Sequence, residues 1–132
     1  MSRNRMANSQ NMFQGSDLRV LCVCSAGLLR SPTMARLLCR NYTTVNPRAV
    51  GISSEYALIP LDAVHLLWAD LVICADSEHA GFVMAALDTA NMERQVYSLD
   101  IPDNFSFGDK ELEAIIQKKF DEIQELKDIS RV

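Results

Sequence analysis

Cys24 and Arg30 are the two residues whose types and spacing could do chemistry together, because only five residues separate them. A loop of that length can wrap so that several backbone N–H groups point at one anion. The guanidinium of Arg30 is a planar fork that can bind two oxygens of a tetrahedral oxyanion. Cys24 would lie at the base of this cup, where the same positive field favours a thiolate. The spacing therefore predicts a nucleophile aimed at phosphorus.

The flanking residues indicate the elements that hold this loop. An apolar run rich in valine and leucine precedes Cys24 and predicts a buried strand over Leu18–Val23. Ser31 and Pro32 follow Arg30 and predict a helix start, with Ser31 as the cap and Pro32 as the first helical residue. A helix start adds unpaired N–H groups and the positive end of its dipole. The alternative is that Cys24 is a small buried hydrophobic residue and Arg30 a surface residue.

The segment from Val23 to Pro32 resembles the signature of the low-molecular-weight protein tyrosine phosphatases, a Val-Cys pair and an Arg-Ser-Pro triplet separated by five residues. The resemblance covers about Leu18 to Phe120. It implies a three-layer α/β fold, with a four-stranded parallel sheet of order 2-1-3-4 flanked by helices. It also implies hydrolysis of phosphate monoesters through a phosphocysteine on Cys24, without a metal ion or an organic cofactor. The implied substrate is phosphotyrosine in a protein.

Within the loop, the resemblance gives Arg30 a role in both binding and catalysis, and the Ser31 hydroxyl a role in holding the thiolate. Two residues depart from the family pattern. Gly27 stands where an asparagine usually holds a strained backbone, and glycine reaches positive φ without a side chain. Leu29 stands where eukaryotic members carry a second cysteine, so no protective disulfide can form there. The phosphate-binding residues implied by the resemblance are Ser25, Ala26, Gly27, Leu28, Leu29, Arg30 and Ser31.

A carboxyl group is also required, because the leaving oxygen needs a proton and the attacking water must later lose one. Asp100 and Asp103 both lie where the predicted fourth strand gives way to a loop, at the edge of the sheet that binds ligands in open α/β folds. The family uses an aspartate in an Asp-Pro-Tyr segment with another acid six residues later, and Asp103 matches that spacing with Phe105 and Asp109. We therefore predict Asp103 as the general acid and keep Asp100 in reserve. The alternative for Asp103 is a turn-forming role after proline.

The Ile-Pro-Asp-x-aromatic form of this segment resembles a compact branch of predicted tyrosine phosphatases in microbes and their viruses. Two further residues are candidates for the cleft beside Phe105. Tyr56 follows the predicted second strand, where relatives often place an aromatic wall. His79 is a possible neighbour of the cleft, while Asp76 is predicted mainly as a helix cap. No second histidine lies at metal-binding spacing, so a zinc site is not expected.

The rest of the sequence predicts alternating strands and helices. A turn is expected at Asn46-Pro47. The predicted later strands are Ala49–Ser53, Leu71–Ala75 and Gln95–Ile101. The predicted helices are Pro32 to about Asn41, Pro60–Trp68, one that opens at Asp76, and Asp109 to about Lys127.

Composition suits one globular domain. The chain has 132 residues and a net charge of −4, which argues against general nucleic-acid binding. No apolar run approaches the ~20 residues of a membrane span, and the first 16 residues lack the apolar segment of a signal peptide. Four cysteines without a regular framework suit a reducing compartment, so a cytoplasmic protein is expected. We expect residues 1–16 to form a disordered tail and residues 17–132 a single domain.

Two other functions stay open. Arsenate reductases share the implied fold and loop, but they need further cysteines to relay a disulfide, and the segment from Asp76 to Glu93 contains none. A non-catalytic module that binds a phosphorylated partner or a nucleotide phosphate is the second, because Gly27 departs from the pattern. For a phosphatase, the expected partner is a phosphorylated protein or a small phosphomonoester, with inhibition by phosphate-like oxyanions.

Overall fold

A sheet of four parallel strands forms the centre of the computed structural model, which describes residues 17–27, 29–53, 55, 57, 59–106, 108–129 and 131. The strands are β1 (Leu18–Cys24), β2 (Val45–Gly51), β3 (Leu71–Cys74) and β4 (Gln95–Ser98). Their order is β2-β1-β3-β4, as predicted. The predicted N-terminal tail, Leu28 and Tyr56 lie outside the described residues.

Helices cover both faces of this sheet. They are α1 (Arg30–Asn41), α2 (Ala63–Trp68), α3 (Ser77–Thr89), α4 (Lys110–Phe120) and α5 (Gln124–Lys127). Side chains alternate along β1, so that Val20, Cys22 and Cys24 join the core under α1 and α4, whereas Leu21 and Val23 join the core under α2 and α3. Burial on both faces explains the nearly continuous apolar run of β1. None of the helices in the described ranges is long and apolar enough to cross a membrane.

The second strand is longer than predicted and starts earlier. It runs through the predicted turn at Asn46-Pro47, which is therefore wrong, and it ends before Ser53. Pro47 lies opposite Val20 of β1. Proline is tolerated here because β2 is an edge strand, where one side of the backbone has no strand to bind.

The helix predicted over Pro60–Trp68 starts only at Ala63, because the Asp62 side chain caps it by accepting two backbone N–H groups. Within this helix, Val64 and Leu67 are 51% and 40% exposed, whereas Trp68 is buried.

The last two predicted elements are interrupted. β4 ends at Ser98 instead of Ile101, because Asp100 has a positive φ of 54° and turns the chain. The long helix predicted from Asp109 to Lys127 is divided into α4 and α5 by an extended residue, Ile123. Ile123 is nevertheless buried, so the break keeps this side chain in the core.

Candidate active site

The loop after β1 curls around the sulfur of Cys24. The N–H of Gly27 donates to Cys24 Sγ at 3.1 Å, and Ser31 Oγ also lies 3.1 Å from this sulfur. Cys24 is the last residue of β1 and is 3% exposed. An extended loop could not return the backbone of residue 27 to the side chain of residue 24. The loop therefore has the curled shape that the spacing predicted.

Ser31 acts on the sulfur and not as a helix cap. α1 begins at Arg30 and its cap position is Leu29, so the predicted capping role of Ser31 is wrong. Ser31 is instead buried in the first turn, and its hydroxyl also reaches the Val50 carbonyl at 3.3 Å. A thiolate can only accept hydrogen bonds and a hydroxyl has one hydrogen, so the Ser31 hydroxyl must donate to Cys24 Sγ instead of the Val50 carbonyl once the thiol is ionised.

Two glycines allow the loop to lie against the end of β2. Gly27 has a φ of +71°, the positive value for which glycine was expected to serve. A Cβ on Gly51 would lie 2.6 Å from the backbone carbonyl carbon of Ala26 and from the carbonyl oxygen of Ser25. The N–H of Ser53 then donates to that same Ser25 carbonyl at 3.0 Å. The loop and the end of β2 thus pack backbone against backbone.

Gly51→Ala is expected to lower the free energy of unfolding by about 1–3 kcal/mol, because the new methyl group meets backbone and cannot be accommodated by a side-chain rotation. Gly81→Ala is the matched control, since no heavy atom lies within 4 Å of its Cβ position in α3. This control should raise stability by up to about 1 kcal/mol. Urea denaturation measures both changes. An unchanged midpoint for Gly51→Ala would contradict the packing of the loop against β2.

Arg30 is buried and is held by the segments that follow two other strands. The residue is 4% exposed, and its Nη1 donates to Asp76 Oδ2 at 3.2 Å and to the Ile101 carbonyl at 3.0 Å. Its Nε lies 3.5 Å from Asp103 Oδ1. Asp76 follows β3, while Ile101 and Asp103 follow β4. The guanidinium therefore lies at the same edge of the sheet as Cys24.

Asp76 caps α3, as predicted, and also binds Arg30. Its Oδ1 accepts the backbone N–H groups of Glu78 and His79 at 3.0 and 3.3 Å, while its Oδ2 accepts from Arg30. Burial raises the pKa of Asp76, but His79 and Arg30 outweigh it and hold the pKa of this carboxyl below its usual value. The ionised carboxylate fixes the orientation of the Arg30 side chain.

His79 lies against the first residue of the loop. It is 1% exposed, and its Nε2 is 2.9 Å from Ser25 Oγ. Burial lowers the pKa of His79; the carboxylate of Asp76 opposes this shift and the charge of Arg30 adds to it. The ring is therefore neutral at neutral pH.

Of the two candidate acids, the structure brings Asp103 to Arg30 and turns Asp100 to another partner. The Asp103 side chain is 64% exposed, so it lies at the open side of the site. Asp100 Oδ1 accepts a hydrogen bond from Ser98 Oγ at 2.9 Å. The matching acid six residues on, Asp109, caps α4 by accepting the N–H of Glu111 at 2.8 Å.

Two of the apolar candidates pack against the core under α1 and α4. They are Leu29 and the half-buried Phe105. Phe105 therefore helps to anchor the loop that carries Asp103.

Sequence reasoning missed three contributions to the site. They are the bond from Arg30 to Asp76, the bond between Ser25 and His79, and the close approach of Gly51. A signal existed for Asp76, because it lies two residues after the end of a strand that is parallel to β1 and paired with it. No spacing in the sequence indicates that His79 binds Ser25 or that Gly51 lies against the loop backbone.

The remaining cysteines lie outside the loop, on β1, β3 and α1. Burial raises the pKa of Cys22 far above that of an ordinary thiol and raises the pKa of Cys74 to about 12. Cys39 is exposed on α1, and all four cysteines are free. Among the described residues, no three His, Cys, Asp or Glu side chains are placed to hold a metal ion.

No model of a known protein family matches the sequence, and no curated protein matches it. Solved structures do match. The chain is 22% identical to YwlE arginine phosphatase from Geobacillus stearothermophilus, with a TM-score of 0.56 over 84% of this chain and 88% of that chain. A cysteine-to-serine variant of YwlE arginine phosphatase with a phosphorylated active-site serine is 19% identical, with a TM-score of 0.50 over 83% of this chain and 90% of that chain. These likenesses confirm the predicted fold.

Proposed function

We propose that this chain is a cysteine-dependent phosphatase that hydrolyses phosphate monoesters through a phosphocysteine on Cys24. The proposal depends on one observation: the Cys24 sulfur lies within 3.1 Å of both the Gly27 N–H and the Ser31 hydroxyl, inside a curled loop that ends in Arg30. Hydrogen-bond donors around a sulfur stabilise a thiolate, and a loop of inward N–H groups with an arginine binds an oxyanion above it. The shared fold with two YwlE arginine phosphatase structures supports the same chemistry.

The reaction has two steps. In the first, the Cys24 thiolate attacks phosphorus, a sulfur–phosphorus bond forms, and the bond from phosphorus to the leaving oxygen breaks as Asp103 protonates that oxygen. The loop N–H groups and Arg30 stabilise the charge on the equatorial oxygens. In the second, Asp103 takes a proton from water, the water oxygen attacks phosphorus, and Cys24 leaves as a thiolate that accepts from Ser31. The products are inorganic phosphate and the dephosphorylated group.

Phosphotyrosine in a protein is the first candidate substrate, because the loop resembles that of the tyrosine phosphatases. Phosphoarginine is the second, because the two solved structures that support the fold are named arginine phosphatases. Phosphoarginine is a phosphoramidate and not a monoester, so the bond that breaks is P–N and Asp103 would protonate the leaving nitrogen. The two leaving groups differ. Tyrosine can leave as a phenolate, because the ordinary pKa of its phenol is about 10. The nitrogen of phosphoarginine must instead be protonated before the P–N bond breaks, since a guanidine anion is far too basic to leave. Hydrolysis of phosphoarginine would therefore depend more on the proton from Asp103.

A colorimetric assay with 4-nitrophenyl phosphate tests the reaction class. We expect metal-independent hydrolysis in the presence of a chelator, with competitive inhibition by inorganic phosphate and by vanadate. Phosphotyrosine and phosphoarginine peptides of the same sequence then compare the two substrates by kcat/KM. Binding of phosphate without turnover would favour the non-catalytic module instead, and thiol-dependent reduction of arsenate would favour the reductase.

A reductase would need a second thiol to relay a disulfide, and the structure favours none. Cys74 is buried in β3, and Cys39 is on the surface of α1.

We propose that the enzyme acts in the cytoplasm, because its reaction needs a free thiolate and a reducing compartment preserves one.

A further inference from the structure

The chain has two histidines, and both complete the same kind of helix start. Asp62 and His65 begin α2, and Asp76 and His79 begin α3. In each pair the aspartate accepts the backbone N–H of the histidine, and the histidine Nδ1 accepts the backbone N–H of the aspartate, at 3.1 Å in α2 and 3.2 Å in α3. The sequence thus contains a natural comparison between two local structures with the same chemistry.

The two histidines differ in the hydrogen bonding of the second ring nitrogen, Nε2. Because Nδ1 of His79 accepts a hydrogen bond, the neutral ring carries its proton on Nε2. That Nε2–H therefore donates to Ser25 Oγ, 2.9 Å away. The His65 side chain is 16% exposed, and its Nε2 forms no hydrogen bond within the part of the chain that the structure describes.

The aspartate of the same pair reaches the other end of the loop. Asp76 Oδ2 accepts from Arg30 Nη1 at 3.2 Å, while His79 holds Ser25. Ser25 is the first residue after Cys24, and Arg30 is the last residue of the loop. One pair of side chains at the start of α3 is therefore hydrogen-bonded to both ends of the phosphate-binding loop.

We propose that His79 is a positioning residue for the reaction proposed above. Its Nε2–H fixes Ser25, so that the loop N–H groups stay in the arrangement that binds the transition state. The inference deepens the proposed function and depends on it for its kinetic consequences. The groups that face the ring are Asp76, Glu78, Arg30 and Asp103, together with the Ser25 hydroxyl. Protonation of His79 would put a hydrogen on Nδ1, which could then no longer accept the Asp76 N–H.

The central comparison is His79→Asn against His65→Asn. Asparagine keeps an oxygen near the position of Nδ1 and so preserves the cap in both helices, but it is too short to reach the partner of Nε2. We expect His79→Asn to lower kcat for 4-nitrophenyl phosphate about three- to tenfold, the value of one net hydrogen bond, with a smaller change in KM. His65→Asn should leave both constants unchanged.

Ser25→Ala removes the same bond from the exposed side of the loop, so it tests the inference even if His79→Asn does not fold. It should lower kcat to a similar degree, and the double variant should lose no more than either single variant. His79→Gln and Ser25→Thr, which restore a donor and a hydroxyl, should recover most of kcat. Additive losses in the double variant would overturn the proposal.

Nitrogen-15 NMR of the histidine rings tests the bond without any turnover. We expect the Nε2 signal of His79 to shift in Ser25→Ala while that of His65 stays in place. If Ser25→Ala shows this shift but the wild type has no phosphatase activity, the proposed function alone is refuted. Two results would refute the positioning role alone if the wild type is an active phosphatase. One is the same kcat in His79→Asn as in His65→Asn, and the other is a wild-type His79 ring that carries its proton on Nδ1 at neutral pH.

Discussion

Cys24→Ser should abolish turnover of 4-nitrophenyl phosphate, with a loss of about 10⁴-fold or more in kcat, the scale seen when a catalytic nucleophile is removed. A serine hydroxyl is far less ionised than a thiol at neutral pH and is a much poorer nucleophile. Binding of inorganic phosphate should persist, because the loop N–H groups and Arg30 are unchanged. Steady-state assays of 4-nitrophenol release measure kcat, and isothermal titration calorimetry measures the binding of phosphate.

Cys39→Ser provides the matched control, since it makes the same chemical change on the exposed surface of α1. It should leave kcat and stability unchanged. Substantial turnover by Cys24→Ser would exclude a phosphocysteine intermediate. In the wild type, rapid acid quenching followed by mass spectrometry should locate a phosphoryl group on the peptide that contains Cys24.

Asp103→Asn should lower kcat about 10²- to 10⁴-fold, the usual contribution of a general acid or base. The loss should depend on the leaving group. It should be smallest for 4-nitrophenyl phosphate, whose phenolate leaves without much help, and larger for phenyl phosphate or phosphotyrosine. Steady-state kinetics on this series of aryl phosphates measures the dependence.

Asp100→Asn is the control for this prediction, because it removes a carboxylate three residues away in the same loop. Asparagine tolerates the positive φ of 54° at this position, so the loop should keep its shape. We expect little change in kcat. If Asp100→Asn causes the larger, leaving-group-dependent loss, then the general acid is Asp100 and not Asp103.

The phosphate loop could be predicted because its signals are local. An apolar run, a cysteine and an arginine at fixed spacing, and a proline in a helix start all lie between Leu18 and Pro32. The strand order came from the family resemblance and is confirmed. The spacing also selected Asp103 over Asp100, and the structure brings that side chain within 3.5 Å of Arg30.

The errors come from competition between local preference and tertiary contacts. Ser31 has the right type and place for a helix cap, but its hydroxyl lies beside the Cys24 sulfur, and the helix begins two residues earlier than predicted. Asn46-Pro47 is a turn by composition, yet an edge strand accepts it. The roles of His79 and Gly51 depend on contacts with residues more than 20 positions away in the sequence, which no local pattern encodes.

The position of the four cysteines determines how this site would respond to peroxide. Cys22 lies two residues before Cys24 on one extended strand, a separation of about 6.6 Å, whereas a disulfide needs Cβ atoms about 3.5–4.5 Å apart. Cys74 belongs to the core on the opposite side of the sheet, and Leu29 occupies the loop position where a resolving thiol would help. Cys39 lies near the far end of α1, whose first residue is Arg30. Among the described residues, a sulfenic acid on Cys24 therefore has no neighbouring thiol to capture it, and further oxidation leads to the irreversible sulfinic acid. Reactivation would depend on an external thiol that arrives before the second oxidant.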